Sequence, residues 1–253
     1  MHMDNLIAVY EAGDEDGRLR MARNWVEWER TCEALRRWLP VAPGRILDVG
    51  GASGRYASWL SDLGYTLQVV DPVPRHVEQA RAHGLEAHEG DARDLEFPDG
   101  SADAVLLLGP LYHLPEASDR ARALTEAVRV CAPGGVIVAA AMSRWAKPAE
   151  YAARSTLSDP NVRQHLLRLL TEGHDSEGNA FDQSSYNHDP GQLRAEFIEA
   201  GLLDIDVIGV EGPLGSFARQ DPELNQVAIS AARSSEHLAP HLSLHLLACG
   251  RLA

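Results

Sequence analysis

Cysteine, basic charge and long apolar runs are all scarce in this chain. Its 253 residues include 3 cysteines. Cys32, Cys131 and Cys249 are odd in number and far apart, which fits neither a disulfide framework nor the paired spacing of a zinc site. A reducing cytoplasm is the simplest setting for such a chain. Lys and Arg number 23 against 37 Asp and Glu, for a net charge of −14. Contacts to a nucleic-acid backbone rely on clustered Lys and Arg, so no nucleic acid is expected and a small molecule is favoured. No apolar run approaches the ~20 residues that span a bilayer. The opening lacks a basic segment followed by an apolar one, so no membrane partner is expected. Internal repeats and low-complexity tracts are missing as well, and the polar stretch 172–190 is the one candidate for disorder. The length suffices for a full core, and one α/β domain with decorations is expected over 1–253.

What the chain does contain is concentrated between Arg45 and Asp71, RILDVGGASGRYASWLSDLGYTLQVVD. Ile46, Leu47 and Val49 are β-prone and apolar on both sides, the pattern of a strand buried in a parallel sheet. Gly50, Gly51 and Gly54 follow; they permit positive φ and let a ligand reach backbone that a Cβ would obstruct. An amphipathic helix and a second apolar run then lead to Asp71 and Pro72. The segment is one β-α-β unit with a polar ligand's site built into its first turn. Asp48 stands just before that turn and can accept hydrogen bonds from an ammonium group. Asp71 ends the next strand, where an acid can take two hydrogen bonds from a ribose diol.

Two ligand classes use this geometry. The dinucleotide frame G-x-G-x-x-G falls on Gly50, Ala52 and Arg55, and Arg55 breaks it. The frame D-x-G-x-[GA]-x-G falls on Asp48, Gly50, Ala52 and Gly54 and matches at all four. On these residues the chain resembles the class I S-adenosylmethionine-dependent methyltransferases, whose first motif has this form. Further landmarks follow in order. The resemblance places Asp91 of Gly90-Asp91-Ala92 beside the adenine, with the Ala92 backbone next to it; read alone, Asp91 is a turn aspartate capping Arg93 and Asp94. Residues 102–108 form a buried strand ended by Gly109-Pro110, and the resemblance sets the Leu108 and Gly109 carbonyls beside the methionine ammonium. Arg129-Val130-Cys131-Ala132-Pro133-Gly134-Gly135, leading into a strand over 136–141, is similar to the family's turn into strand five. The resemblance runs from Ile46 to about Met142.

The expected fold is α/β: a doubly wound, mostly parallel seven-stranded sheet with an antiparallel last strand in three α/β/α layers. An N-terminal helix and a lid insertion decorate it. Residues 1–43 are the helical cap, 44–142 the cofactor core, 143–190 the lid and 191–253 the closing part of the sheet. Helical spacing of Leu19, Val26, Leu35, Trp38 and Leu39 predicts a helix over 19–38, stopped by Pro40 and Pro43. Further helices are predicted from Pro74 to about His83 and from Ser118 or Asp119, with Cys131 on the latter's buried face as a core thiol. Others cover 148–155, 161–170, 192–200 and 222–234, and strands cover 85–88, 202–210 and 243–250. A segment as long as 143–190 without a strong pattern is expected to serve function, passing over the carboxyl edge of the sheet.

The resemblance implies S-adenosylmethionine as cofactor, S-adenosylhomocysteine as product, and methyl transfer to an oxygen or nitrogen of a small-molecule acceptor. A phenol, alcohol or protonated amine acceptor needs a base. His113, in Leu111-Tyr112-His113-Leu114 at the carboxyl edge of a central strand, is the first candidate, since a free imidazole titrates near pH 6.5, roughly the working range. A histidine that merely hydrogen-bonds its loop is the other reading. His188, at the end of the lid, is the second candidate base, because lid residues complete a site on closure. Tyr112, Arg144, Tyr151 and Tyr186 are candidates for the acceptor pocket, each equally open to a structural role. Tyr10 is either a lid residue over cofactor and substrate or a surface aromatic. His237, His241 and His245, at steps of four, would align as metal ligands on a helix, but Pro240 interrupts it and no metal is expected.

Missing motifs narrow the chemistry. No [DNS]-P-P-[YFW] follows strand four, no Pro-Cys nucleophile occurs there, and no Asp/Asn set resembles the Mg²⁺ site of catechol methyltransferases. Two other classes stay open: an NAD-linked oxidoreductase, disfavoured by Arg55 and the closing strands, and a protein that binds S-adenosylmethionine without transferring methyl.

Overall fold

Alternation along buried strands builds the fold. The computed structural model describes residues 2–13, 15–19, 21–175 and 185–253. In β1 (Arg45–Val49) Leu47 and Val49 face one core while Ile46 faces another, and β4 (Ala102–Leu107) divides Val105 and Leu107 from Ala104 and Leu106 in the same way. Successive side chains of a strand point to opposite faces, so a strand apolar at every position must be covered on both.

The covering helices follow from the chain order. α3 (Trp25–Trp38), α4 (Arg55–Asp62) and α5 (Pro74–Ala82) pack Ala34, Leu35, Ala57, Leu60, Val77 and Ala80 on one face. α7 (Ala117–Val130) and α10 (Pro190–Glu199) pack Leu124, Ala127, Leu193 and Phe197 on the other. Two short helices, α1 (His2–Ala12) and α2 (Glu15–Leu19), precede them, and α6 (Pro110–His113) follows β4 directly. The remaining strands are β2 (Thr66–Asp71), β3 (Glu86–Glu89), β5 (Cys131–Ser143), β6 (His174–Asp175), β7 (Ser185–His188), β8 (Leu203–Gly209) and β9 (His245–Arg251). The remaining helices are α8 (Lys147–Ala153), α9 (Pro160–Glu172), α11 (Gly215–Ala218) and α12 (Asn225–Ser235).

Seven strands run in the order β3-β2-β1-β4-β5-β9-β8. The first five are mutually parallel, and β9 inserts antiparallel between β5 and β8, from Val136↔Arg251 to Met142↔His245. This is the doubly wound, three-layer sheet with an antiparallel last strand that the sequence leads one to expect. Among the described residues no helix is long and apolar enough to cross a membrane.

Three expectations are corrected. Cys131 is not on the face of α7 but opens β5, still as a buried thiol, its pKa pushed up to about 11 by burial and then by Asp103. The cap helix starts at Trp25 rather than 19, after a 3₁₀ turn over Ala22–Asn24, because the buried Asn24 amide is turned to the Arg18 carbonyl at 2.7 Å. Within 143–190, α8 and α9 lie where helices were expected, but β6 and β7 pair with each other, and β7 adds in parallel to the end of β5 at Met142↔Asn187 and Ser143↔His188. The end of that segment is thus built into the sheet. Residues 176–184 lie outside the described residues.

Candidate active site

The strand order reverses between β1 and β4, and in open α/β sheets a crevice opens outside the carboxyl ends of the strands at such a switch point. The loop after β1 is shaped for close approach. Gly50 has φ +69°, and a Cβ there would lie 2.8 Å from Pro110 Cδ, at the start of α6. A Cβ on Gly51 would lie 2.7 Å from Asp48 Oδ2. Gly54, at φ +81°, packs so tightly on Leu85 that a Cβ would collide with its Cδ1. Ala52 takes φ +50° despite its Cβ, and its N–H donates to Asp71 Oδ2 at 2.9 Å. The ends of β1 and β2 are tied together by that bond. Arg55, which breaks the dinucleotide frame, opens α4 with its guanidinium 4.0 Å from the Trp28 ring centroid, clamping α3 to α4.

One cavity gathers most of the candidate residues. From the cofactor set it is lined by Gly50, Ala52, Asp71, Pro72, Asp91, Ala92 and Gly109, from the acceptor set by Tyr10 and Tyr112, and from the two candidate bases by His113. Sequence reasoning missed Leu6, Val73, His76, Gly90, Pro110 and Leu114, which complete the wall. Of these His76 had one faint signal: it lies five positions after Asp71, on the first turns of a helix whose start Pro74 announces. α1 closes one side. The Tyr10 hydroxyl lies 3.0 Å from His113 Nε2, and the Tyr10 ring meets His113 and His76 edge to face. Glu11 accepts from the Arg75 backbone N–H at 2.9 Å, and Asp16 of α2 accepts from Ser53 Oγ at 2.8 Å.

Asp48 is 1 % exposed, and neither carboxylate oxygen has a hydrogen-bond partner among the described residues. Its pKa is pushed up to about 7, by burial first and by the nearby Asp71 second. Asp48, Gly51, Gly54 and Leu108 do not themselves line the cavity. An orphaned buried carboxylate behind a turn whose Gly50 and Gly51 leave no room for a Cβ fits a ligand carrying a cationic ammonium and needing bare backbone around it. Asp71 accepts from Ala52 N–H, Val73 N–H and His76 Nδ1. Asp91 lines the cavity while also capping its own turn: it accepts from the Arg93 backbone at 2.9 Å and from its guanidinium at 2.6 Å. Burial alone would raise Asp91, but the Arg93 hydrogen bonds outweigh it and hold the carboxyl below its ordinary value. Leu108 packs on the core cluster beneath the site, and the Tyr112 hydroxyl donates to its carbonyl at 3.4 Å.

His188, Arg144, Tyr151 and Tyr186 do not line this cavity. His188 is fully buried in β7 with Nε2 3.3 Å from Glu196, and burial lowers its pKa, opposed by Glu196. Arg144 donates to the Asn187 carbonyl at 3.0 Å, to Tyr186 Oη at 3.2 Å and to Gln192 at 2.8 Å, fastening β7 and α10 to the end of β5. The Tyr186 ring lies 3.7 Å from the Arg120 guanidinium, and Tyr151 sits on α8 edge to face with His165. The three spaced histidines do not converge. His237 bonds Asp206, while His245, in β9, pairs with the buried Glu211 near Glu27.

A family model described as a methyltransferase domain matches residues 47–139. The probable tRNA methyltransferase 9B of Mus musculus is 33 % identical over 151 residues, 60 % of this chain and 33 % of that protein. The ubiquinone biosynthesis O-methyltransferase of Xanthomonas oryzae pv. oryzae is 33 % identical over 142 residues, 53 % of this chain and 55 % of that protein. The chain spans between about a third and just over half the length of these curated relatives. An S-adenosylmethionine-dependent methyltransferase of Thermotoga maritima, described as a possible histamine N-methyltransferase, aligns over 100 % of both chains with a TM-score of 0.64 at 18 % identity, a likeness of fold.

Proposed function

Because the chain belongs to the class I S-adenosylmethionine-dependent methyltransferases, we propose that it methylates an oxygen or nitrogen of a small-molecule acceptor held beside Tyr10, Tyr112 and His113. The observation that carries this reading is that a single cavity has an acid-and-bare-backbone side and an aromatic, imidazole-bearing side. Asp71, the 50–52 turn, Asp91, Ala92 and Gly109 would hold the cofactor, with Asp48 serving its ammonium. Bound there, the cofactor supplies an electrophilic methyl group. The rest of the chemistry belongs to the protein: alignment of a nucleophile, exclusion of water, and removal of a proton where the acceptor carries one.

His113 takes that proton. The Tyr10 hydroxyl bonded to Nε2 fixes the ring's orientation, and α1 keeps solvent from this side of the cavity. The small-molecule assignment is supported by the acidic chain and by the enclosure that Leu6 and Tyr10 give the site. Calorimetry with S-adenosylmethionine and with NAD, followed by S-adenosylhomocysteine release from pools of phenols, amines and bulk tRNA, tests it. Release with the phenol or amine pool is expected. Binding without release from any pool would favour a non-transferring binder, and heat from NAD alone would sink the assignment.

A further inference from the structure

Asp71 has little hydrogen-bonding capacity left for a ligand. An ionised carboxylate offers about four lone-pair sites. The protein occupies three of them: Ala52 N–H lies 2.9 Å from Oδ2, and Val73 N–H and His76 Nδ1 lie 3.0 and 2.9 Å from Oδ1. A vicinal diol brings two hydroxyl donors. One can reach the remaining site, and the second needs another acceptor.

His76 supplies it. Because Asp71 already receives two backbone N–H groups and acts only as an acceptor, the ring nitrogen facing it carries the hydrogen, and in the neutral ring Nε2 keeps its lone pair. His76 lines the cavity and is 3 % exposed, and its Nε2 is buried with no hydrogen-bond partner among the described residues. A buried nitrogen left this way is destabilising until something donates to it. The edge-to-face contact with Tyr10, centroids 5.3 Å apart, asks only for a ring and leaves the nitrogen unexplained.

We infer that His76 is a cofactor-binding residue: its Nε2 accepts one ribose hydroxyl of the nucleoside while Asp71 accepts the other. The inference rests on reading the cavity as the S-adenosylmethionine site. It makes His76 a selector for an intact diol, with Asp71 fixing its tautomer from behind.

The test is calorimetry of the full chain with S-adenosylhomocysteine and with its 2′-deoxy and 3′-deoxy analogues, on the wild type and on His76→Phe, which preserves the ring contact. The wild type is expected to bind each analogue roughly tenfold more weakly than the parent, one lost hydrogen bond apiece. In His76→Phe the parent weakens by a similar factor, and one analogue, the one lacking the hydroxyl that His76 held, now binds as well as the parent. Unchanged affinity, or an equal loss for all three ligands, would overturn the inference by leaving His76 a support for Asp71. Should His76→Phe not fold, the wild-type Nε2 ¹⁵N resonance decides: it moves on adding the parent and stays in place with one analogue, and no movement with the parent refutes the contact. A wild type that binds none of the three ligands sinks the cofactor reading itself, a separate outcome.

Discussion

The Tyr10 hydroxyl and His113 Nε2 lie 3.0 Å apart although 103 positions separate the two residues in the chain. The bond joins α1 to the short helix after β4, so the segment that encloses the cavity also orients its candidate base. His113→Ala is expected to leave S-adenosylhomocysteine affinity within about twofold and to lower turnover by about 10²-fold or more, the usual range for a lost general base. Tyr10→Phe should lower turnover less. Equal turnover in His113→Ala, measured against a proton-bearing acceptor, would leave it a loop histidine.

Asp71 holds the glycine turn and, on our reading, the ribose. Asp71→Ala should weaken S-adenosylhomocysteine binding by about 1–3 kcal/mol through lost charged hydrogen bonds. Calorimetry checks this, and unchanged affinity would refute the assignment.

Asp48 makes the protein's stability depend on pH with a definite sign. Its folded pKa, pushed up to about 7, exceeds the ordinary value of 3.8, so between these limits the folded state binds more protons than the unfolded one. Its contribution therefore falls as pH rises through that window, by an amount on the order of a few kcal/mol, and is flat above it. Urea denaturation at pH 5 and pH 8 should show Asp48→Asn removing that part of the difference. The comparison with the variant cancels His245, whose raised pKa beside Glu211 and Glu27 contributes stability that is also lost as pH rises. Affinity for the ammonium-bearing ligand should run the opposite way, improving as pH climbs past about 7 and Asp48 ionises.

Arg120 is buried under the site. Its guanidinium donates to the Leu114 and Pro115 carbonyls at 3.0 and 2.8 Å, pairs with Glu196 and stacks on Tyr186. These bonds fix the chain just after His113. Arg120→Met should destabilise the fold by about 3 kcal/mol, since it strands a largely buried carboxylate and two carbonyls. Denaturant midpoints would show it, and a change below about 1 kcal/mol would mean that the network relaxes.

Gly54 tolerates no side chain. At φ +81° and against Leu85, Gly54→Ala should cost about 1–3 kcal/mol. A variant as stable as the wild type by thermal unfolding would contradict the packing of α4 on the 84–85 turn.

The 45–71 unit is legible in the sequence because its determinants are local: apolar runs, glycines at positions of positive φ, and an acid at a strand end. The doubly wound sheet with an antiparallel last strand could be read as well, from apolar runs alternating with helical segments and two closing strands; the order of its strands came from the structure. Other features escaped for physical reasons. β7 is four residues of polar and aromatic character, Ser185–His188, whose strand state comes from edge pairing with β5 and from Arg144 and Arg120 around Tyr186. No local pattern records a guanidinium arriving from another element. His188 and Arg144 carried the right chemistry for a site, yet their burial in that junction puts them outside the cavity wall.

The sequence by itself determined the doubly wound sheet, the glycine turn and the identity of the acids around it, because short-range sterics and strand periodicity act within a few residues. Only the tertiary structure decided which side chains share a chamber. Tyr10, His76, Asp71 and His113 belong to four elements brought together by the burial of apolar faces elsewhere in the molecule, and contacts made at such separations leave no periodic trace along the chain.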